Sequence, residues 1–231
     1  MSVFGFSTEP SSGGDFTPIL KYDARAGRFF RVDRTQNPDG SFLNEPVDIS
    51  SIFKAIVDFE NIEVGWLNFV PGQAPDVKLV PMGTQLPDRP SQQHKNGVRF
   101  LVKLSKECAH TFAPIRELMG QSKAMLAGIE AAYTEYLKER ANHAGQLPVL
   151  VLEKTVPITT GSGSKTSTNY KPVFRIAAWV PRGDLQPQPR GTNGNGAQPA
   201  ATSSNLQQTT PPATGASRAV APGAVSAEDF G

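Results

Sequence analysis

The stretch from Pro148 to Arg182, PVLVLEKTVPITTGSGSKTSTNYKPVFRIAAWVPR, decides the fold class of this chain. Its two outer parts, Val149 to Ile158 and Tyr170 to Val180, are rich in β-branched and aromatic residues, which predicts two β-strands. The Gly, Ser and Thr residues between them, from Thr159 to Asn169, predict a flexible loop that is long for a hairpin. The stretch therefore predicts a β-hairpin in a mainly β protein.

One face of the second strand of this hairpin carries cations and an indole, because side chains alternate between the two faces of a strand. From Lys154 to Arg182 the chain has five Lys and Arg residues and no Asp or Glu. Cations that hold phosphates beside an aromatic ring that stacks a base are typical of single-stranded nucleic-acid sites. The alternative is that the indole packs in the core and the cations only face solvent. The candidates here are Lys165, Tyr170, Lys171, Arg175 and Trp179.

Three further strands and one long helix are predicted from hydrophobic periodicity. They are the strands Gly27 to Arg34, Ile62 to Val70 and Gly97 to Ser105, and a helix from Ala109 to Asn142. Val47 to Phe59 is either a short helix or an extended strand. Gly65 in mid-strand indicates a bulge or a sharp bend. The long connection from Pro71 to Asn96 is of a length that is usually functional or disordered.

The order of these elements is that of a five-stranded OB-like Greek-key barrel with its helix between strands three and four. In such barrels, strands two and three and the loop between strands four and five bind oligonucleotides. Arg99 and Lys103 repeat the cationic spacing of the hairpin and fall on these elements, as does Lys165. Phe30 on the first strand is a further stacking candidate.

The charges are segregated along the chain. Lys78 to Arg116 has seven Lys and Arg against two Asp and Glu, a net charge of +5, whereas Asn37 to Asp76 has a net charge of −6. One polyanion-binding face would explain this distribution. The single cysteine, Cys108, allows no internal disulfide. The sequence contains no apolar leader and no span of membrane length, so we expect a cytoplasmic protein of a bacterium or of a phage-infected host, without membrane association.

Composition divides the chain into three parts. Residues 1–14 are expected to form a flexible arm, and residues 15–184 to form the OB-like nucleic-acid-binding domain. Residues 185–231 are mostly Pro, Gly, Ala, Ser, Thr, Asn and Gln, a composition that buries too little apolar surface to fold. We therefore expect a disordered linker that ends in an acidic tip.

The chain ends in Ser-Ala-Glu-Asp-Phe-Gly, which gives a C-terminal tip of Glu228, Asp229 and Phe230. Two acids and an aromatic residue behind a low-complexity linker and a β-barrel resemble the single-stranded DNA-binding proteins of bacteria and phages. The resemblance implies sequence-independent binding in DNA replication, recombination or repair. It also implies that the tip docks onto replication or recombination proteins and competes with DNA for the basic groove. The chain departs from this pattern in its short acidic run, in Gly231 after Phe230 and in a helix longer than that of the compact bacterial type. The phage type, which has elaborated loops, fits better. The alternative is that these three residues are a chance ending of a disordered tail.

No catalytic motif occurs, so an enzyme is not expected. The loop TTGSGSKTS lacks the GxxxxGK[ST] pattern of a phosphate loop, and no HExxH motif or nucleophile elbow is present. The spacing of His94, Cys108, His110 and His143 matches no compact zinc pattern, and no cofactor is expected. Two alternative functions stay open: a structural or virion assembly protein, and an adaptor that binds only protein. The sequence also leaves a homo-oligomer open.

Overall fold

Ten strands and one long helix make up the part of the chain that the structure, a computed structural model, describes, namely residues 17–160, 166–186 and 227–230. The strands are β1 (Ile19–Asp23), β2 (Arg28–Gln36), β3 (Phe42–Asp48), β4 (Lys54–Val57), β5 (Glu63–Asn68), β6 (Asp76–Pro81), β7 (Lys95–Leu104), β8 (Ile115–Gly120), β9 (Gln146–Thr160) and β10 (Ser167–Pro181). The helices are α1 (Lys106–Ala109) and α2 (Lys123–Glu139), and 3-10 helices lie at Ser50–Ile52, Phe59–Asn61, Arg140–Asn142 and Ala227–Phe230.

The strands form one mixed sheet in the order β10-β9-β4-β7-β8-β1-β2-β3. Strand β5 also pairs with β7, and β6 pairs with β5. The pairing of β1 with β8 is parallel and the other pairs are antiparallel. The prediction of a mainly β protein with one long helix is confirmed. The five-stranded barrel is not confirmed, since the described residues form ten strands. The expected arm and most of the expected linker lie outside the described residues.

The sheet curves until its β10 end meets the turn between β1 and β2. The backbone N–H of Tyr170 donates to the Ala24 carbonyl at 2.7 Å, and the Tyr22 hydroxyl donates to the Tyr170 carbonyl at 2.7 Å. Gly27 lies in this turn with a φ of 68°, and a Cβ there would lie 2.8 Å from the Cβ of Tyr170. Glycine therefore serves both the left-handed turn and the close approach.

Helix α2 closes the main core. Its buried residues Met125, Ile129 and Tyr136 pack in one cluster with apolar residues of β1, β2, β4, β7, β8 and β9. A Cβ at Gly128 would lie 2.5 Å from the Pro172 carbonyl oxygen, so this glycine lets α2 approach β10. No helix in the described part of the chain is both long and apolar enough to cross a bilayer.

The predicted helix from Ala109 to Asn142 is wrong in its first part. Residues Ile115–Gly120 form β8, and α2 begins at Lys123. The apolar residues before Gly120 fit the spacing of either element, and pairing with β7 and β1 selects the strand. Ser122 gives the signal for the true start, because its side chain accepts a hydrogen bond from the Met125 N–H at 3.0 Å, as an N-cap does.

Three further features differ from the sequence-based predictions: the segment before β5, three short strands and the role of Gly65. Val47 to Phe59 is neither one helix nor one strand, since it contains the end of β3, a 3-10 helix and β4. Strands β1, β3 and β6 were not predicted. Gly65 has a φ of 154°, and a Cβ there would lie 2.2 Å from the Lys78 carbonyl oxygen. The close passage of β6 therefore explains this glycine.

A buried ionic cluster joins β2 to β8. Asp33 is 3% exposed, and its two oxygens accept from Arg31 Nε at 2.8 Å and from Arg116 Nη2 at 2.7 Å. Arg31 also donates to the carbonyls of Cys108 and Ala109, at the end of α1. Burial lowers the pKa of Arg116, which the Asp33 carboxylate partly offsets. One carboxylate is thus shared by two arginines that are almost wholly shielded from water.

We expect Asp33→Asn to lower the free energy of unfolding by about 3–5 kcal/mol, because it leaves both buried guanidinium groups without their carboxylate. Urea unfolding followed by circular dichroism measures this change. The control is Glu135→Gln, which removes the exposed pair of Glu135 with Lys138 and should change stability by less than about 1 kcal/mol. Equal effects of the two substitutions on the free energy of unfolding would contradict a stabilising role of Asp33 in the buried cluster.

The buried Tyr22 hydroxyl is expected to make the free energy of unfolding fall at alkaline pH. Burial raises the pKa of Tyr22, and the Asp23 carboxylate acts in the same direction. The unfolded chain loses this proton at about pH 10, whereas the folded chain retains it, so the free energy of unfolding falls as the pH rises above about 10. We expect Tyr22→Phe to reduce that slope by up to about 1.4 kcal/mol per pH unit. Urea unfolding at pH values of about 8 to 11 tests this, and parallel curves for the two proteins would refute it.

Candidate nucleic-acid interface

The two cations predicted on β7 are held by carboxylates. Arg99 Nε lies 2.6 Å from Glu63 Oε2 and Lys103 Nζ lies 2.9 Å from Asp184 Oδ1. The side chains of Arg99 and Lys103 are only 14% and 11% exposed. These two residues therefore do not present a row of open charges to a phosphate backbone.

The cations predicted on the hairpin are not brought together with those on β7. Strands β9 and β4 lie between β10 and β7, a separation of three strand spacings or about 14 Å. Arg175 is exposed and lies 3.3 Å from Glu153, and Lys171 is half-buried. Lys165 lies outside the described residues.

The predicted stacking aromatics mostly support the fold. The Trp179 ring stacks on His143 with centroids 4.4 Å apart, lies 5.7 Å from the Tyr136 ring and donates from its Nε1 to Glu139 at 3.3 Å. Tyr170 is half-buried, and its backbone groups join β10 to the β1–β2 turn. Phe30 is half-buried on β2. These contacts of Trp179 agree with the alternative interpretation, in which its indole packs against the core.

A different surface combines an aromatic ring with several cations. A groove runs between α2 and the strands β5 and β7; we call it the α2 groove. Its middle is a mostly apolar cavity of about 230 Å³ whose walls include Val98, Leu126, Tyr133 and the exposed Glu130. At the end where α2 begins, it continues into a second cavity of about 540 Å³, which we call the Trp66 pocket. Asn96 and Leu126 line both cavities, which makes them one groove.

The Trp66 pocket is basic. It is lined by Trp66, Arg89, His94, Lys95, Asn96, Gln121, Lys123 and Leu126. Three of these side chains are cations and none is a carboxylate. The α2 N-terminus adds the partial positive charge of its backbone amides, because Lys123 is the first residue of that helix. The pocket is therefore suited to an anion next to a flat aromatic group.

The sheet and the long connection before β7 hold the indole in place. Trp66 lies between Lys78 of β6 and Asn96 of β7 in the register of the sheet, so the three side chains share a face. Trp66 Nε1 donates to the Pro87 carbonyl at 2.8 Å, and the Arg89 guanidinium lies 5.5 Å from the ring centroid. Arg89 Nε in turn donates to the His94 carbonyl at 2.8 Å.

Buried His94 fixes the end of this connection. It is 3% exposed, with Nδ1 2.8 Å from Ser91 Oγ and Nε2 3.1 Å from Asp76 Oδ2. The sequence analysis placed no site at Trp66 and missed this pocket. Two signals pointed to it: the length of the connection from Pro71 to Asn96 and the excess of cations between Lys78 and Arg116.

The C-terminal tip lies on the body of its own chain. Phe230 is 5% exposed and packs against apolar residues that form a pocket on the other face of the sheet. Asp229 Oδ2 lies 3.2 Å from Lys54 Nζ, and Glu228 is exposed. We call this site the tip pocket; its buried residues are Ile56, Leu101, Leu147, Val149, Val180 and Leu185.

Arg182 holds one wall of the tip pocket in place. It donates to both oxygens of buried Asp58, at 2.7 and 3.0 Å, to Glu60 and to the Leu185 carbonyl at 3.1 Å. These bonds raise the pKa of Arg182, the hydrogen bond with Asp58 having the largest effect. The segment after β10 is thereby turned back over the sheet, and Leu185 becomes fully buried.

Within residues 17–160, 166–186 and 227–230, no three His, Cys, Asp or Glu side chains form a group that could hold a metal ion. No protein-family model, curated protein or solved structure matches this chain.

We expect Trp179→Ala to lower the free energy of unfolding by about 2–3 kcal/mol, because it removes the ring with which β10 packs against Tyr136 of α2 and against His143. The control is Phe42→Ala. Phe42 is 50% exposed and its ring contacts the guanidinium of Arg34 at 3.7 Å, so the loss should stay below about 1 kcal/mol. Urea unfolding of both variants measures the difference, and an unchanged midpoint for Trp179→Ala would contradict the packing role.

Proposed function

We propose that this protein binds single-stranded DNA without sequence preference, through the α2 groove, in replication, recombination or repair. The observation that carries this proposal is the Trp66 pocket, in which an indole adjoins Arg89, Lys95 and Lys123 and no carboxylate lines the wall. Cations that follow the phosphates and aromatic faces that stack bases are the two elements of sequence-tolerant single-strand binding.

Each part of the groove has a chemical role in this proposal. Lys95 and Lys123 neutralise phosphates at the basic end, where the α2 N-terminus also favours negative charge. Trp66 stacks a base, and the apolar middle beside Leu126 takes the next base away from water. A duplex offers no unstacked base to these sites, so the groove selects single strands.

The curved sheet is compatible with the barrel architecture expected for such proteins. The contact between β10 and the β1–β2 turn brings two distant parts of the sheet together, as closure of a Greek-key barrel does. We therefore retain an OB-like barrel, elaborated by additional strands, as part of the proposal. The C-terminal tip would recruit replication or recombination proteins.

An adaptor that binds only protein is the second candidate. Its support is the pairing of Arg99, Lys103 and Arg182 with carboxylates, which removes three cations from any polyanion-binding surface. Binding of nucleic acid by the unmodified chain separates the two candidates, and it also separates the first from a virion assembly protein.

The test is binding to a fluorescent oligo-dT and to a matched duplex over a salt series. We expect tight, salt-dependent binding to the single strand. Trp66→Ala should weaken it about tenfold or more, since stacking contributes about 1–3 kcal/mol per base, whereas Trp66→Phe should retain most of the affinity. Lys123→Gln should reduce the slope of log affinity against log salt by about 0.7. Lys138→Gln, at an exposed position of the same helix, is the matched control.

Two outcomes would refute this proposal. Absence of binding to either oligonucleotide at low salt would leave the adaptor as the better candidate. Binding that is unchanged by Trp66→Ala and Lys123→Gln, but weakened by Lys171→Gln and Arg175→Gln, would move the site from the α2 groove to the hairpin.

A further inference from the structure

The tip pocket is built by the body of the chain and not by the tip itself. Its six buried residues come from β4, β7, β9, β10 and the segment just after β10. Three of them, Val149, Leu147 and Leu185, are at most 1% exposed. The body of the chain thus provides the apolar side chains of this site, and Phe230 fills it.

The pocket recognises both features of the tip. Phe230 supplies an aromatic ring that is 5% exposed, and Asp229 meets Lys54 at the rim, where the two side chains are 36% and 24% exposed. Helix α1 lies against the tip, and Glu228 is exposed to solvent. Apolar burial provides most of the binding energy, and the ion pair provides specificity for an acid next to the ring.

The tip pocket and the α2 groove lie on opposite faces of the sheet. Val98, Phe100 and Val102 alternate along β7 with Arg99, Leu101 and Lys103. The first set packs in the core beside α2, and Val98 also lines the α2 groove. Leu101 lines the tip pocket on the other side. A tip in its pocket therefore leaves the groove open.

We propose that the tip pocket is a docking site for the chain's own acidic–aromatic end, which it withholds from other proteins without obstructing the nucleic-acid groove. While Phe230 is docked, another protein that recognises an acidic segment ending in Phe cannot contact the ring. The apparent affinity of such a partner is therefore lowered in proportion to the fraction of chains in which the tip is undocked. The docking of the tip goes beyond the proposed function, whereas its effect on partner proteins rests on the recruitment role proposed above for the tip.

The first test uses a fluorescent peptide with the sequence of residues 226–231 and the full-length chain. The unmodified chain fills its own pocket and should bind the peptide weakly. Phe230→Ala vacates the pocket in a chain whose body is unchanged, so the peptide should bind at least about tenfold more tightly, as the burial of a Phe side chain implies. Phe42→Ala removes an exposed phenylalanine and should behave like the unmodified chain.

A charge exchange tests the rim of the pocket. In the Phe230→Ala chain, Lys54→Glu should weaken binding of the peptide, and a peptide in which Lys replaces the residue equivalent to Asp229 should restore it. A second readout needs no peptide. Carboxypeptidase should release Phe230 slowly from the unmodified chain and several-fold faster from Lys54→Glu, because the docked ring is protected.

Three results would overturn the proposal. The first is equal peptide binding by the unmodified and Phe230→Ala chains. The second is an unmodified chain that forms dimers which Phe230→Ala abolishes, since the tip would then dock on a second copy. The third is an increase in affinity of Phe230→Ala for oligo-dT, which would place the nucleic acid on the face that carries the tip. Failure of the nucleic-acid assay itself leaves all the peptide measurements interpretable.

Discussion

Strand β7 has to bury both of its faces, and much of the structure follows from that requirement. It lies inside the sheet, paired with β4 and β5 along one edge and with β8 along the other. Phe100, Val102 and Leu104 on one face are at most 3% exposed, and the core closed by α2 covers them. Leu101 on the other face is 9% exposed because the segment after β10 and the C-terminal tip lie over it.

The cover over the outer face of β7 also shields the two cations on that face from solvent. Arg99 and Lys103 share the outer face of β7 with Leu101, and each is paired with a carboxylate as that face is closed. A buried cation without a partner would cost several kcal/mol, so the positions of Glu63 and Asp184 follow from the burial of the strand. The positive charge between Lys78 and Arg116 therefore reaches solvent mainly at Lys78, Arg89, Lys95 and Lys106.

The sequence predicted those elements whose pattern has one interpretation. Strands β2, β5, β7, β9 and β10 follow from alternation or from apolar runs, and the expected hairpin is present. The start of α2 was misplaced because Ile115 and Leu118 suit a helix as well as a strand, and only pairing with β1 and β7 decides between them. Alternation also placed Lys103 correctly on the face opposite Val102. It could not reveal that Asp184, 81 residues away in sequence, neutralises this lysine.

Candidate site residues were harder to predict for the same reason. Spacing within one strand identifies a row of cations, but the acids that neutralise them come from distant parts of the chain. Trp66 shows the converse, because its neighbours Arg89 and Lys123 come from a long connection and from a helix start. The tip was predicted from its two acids and aromatic residue and from the resemblance that they carry. The pocket that receives Phe230 is made by four strands and Leu185, which have no common pattern in the sequence.

The separation of the two candidate sites has a physical consequence for regulation. Resemblance to single-stranded DNA-binding proteins implies a tip that competes with DNA for one groove, whereas here the tip and the groove are separated by the sheet. Coupling between such sites requires an element with two arrangements that both sites bias. Strand β7 lies between them, but it is hydrogen-bonded along both edges and packed on both faces, so a shift of register would expose Leu101 or bury Lys103 without Asp184. A strand held in this way has one arrangement, and the two sites should therefore fill independently.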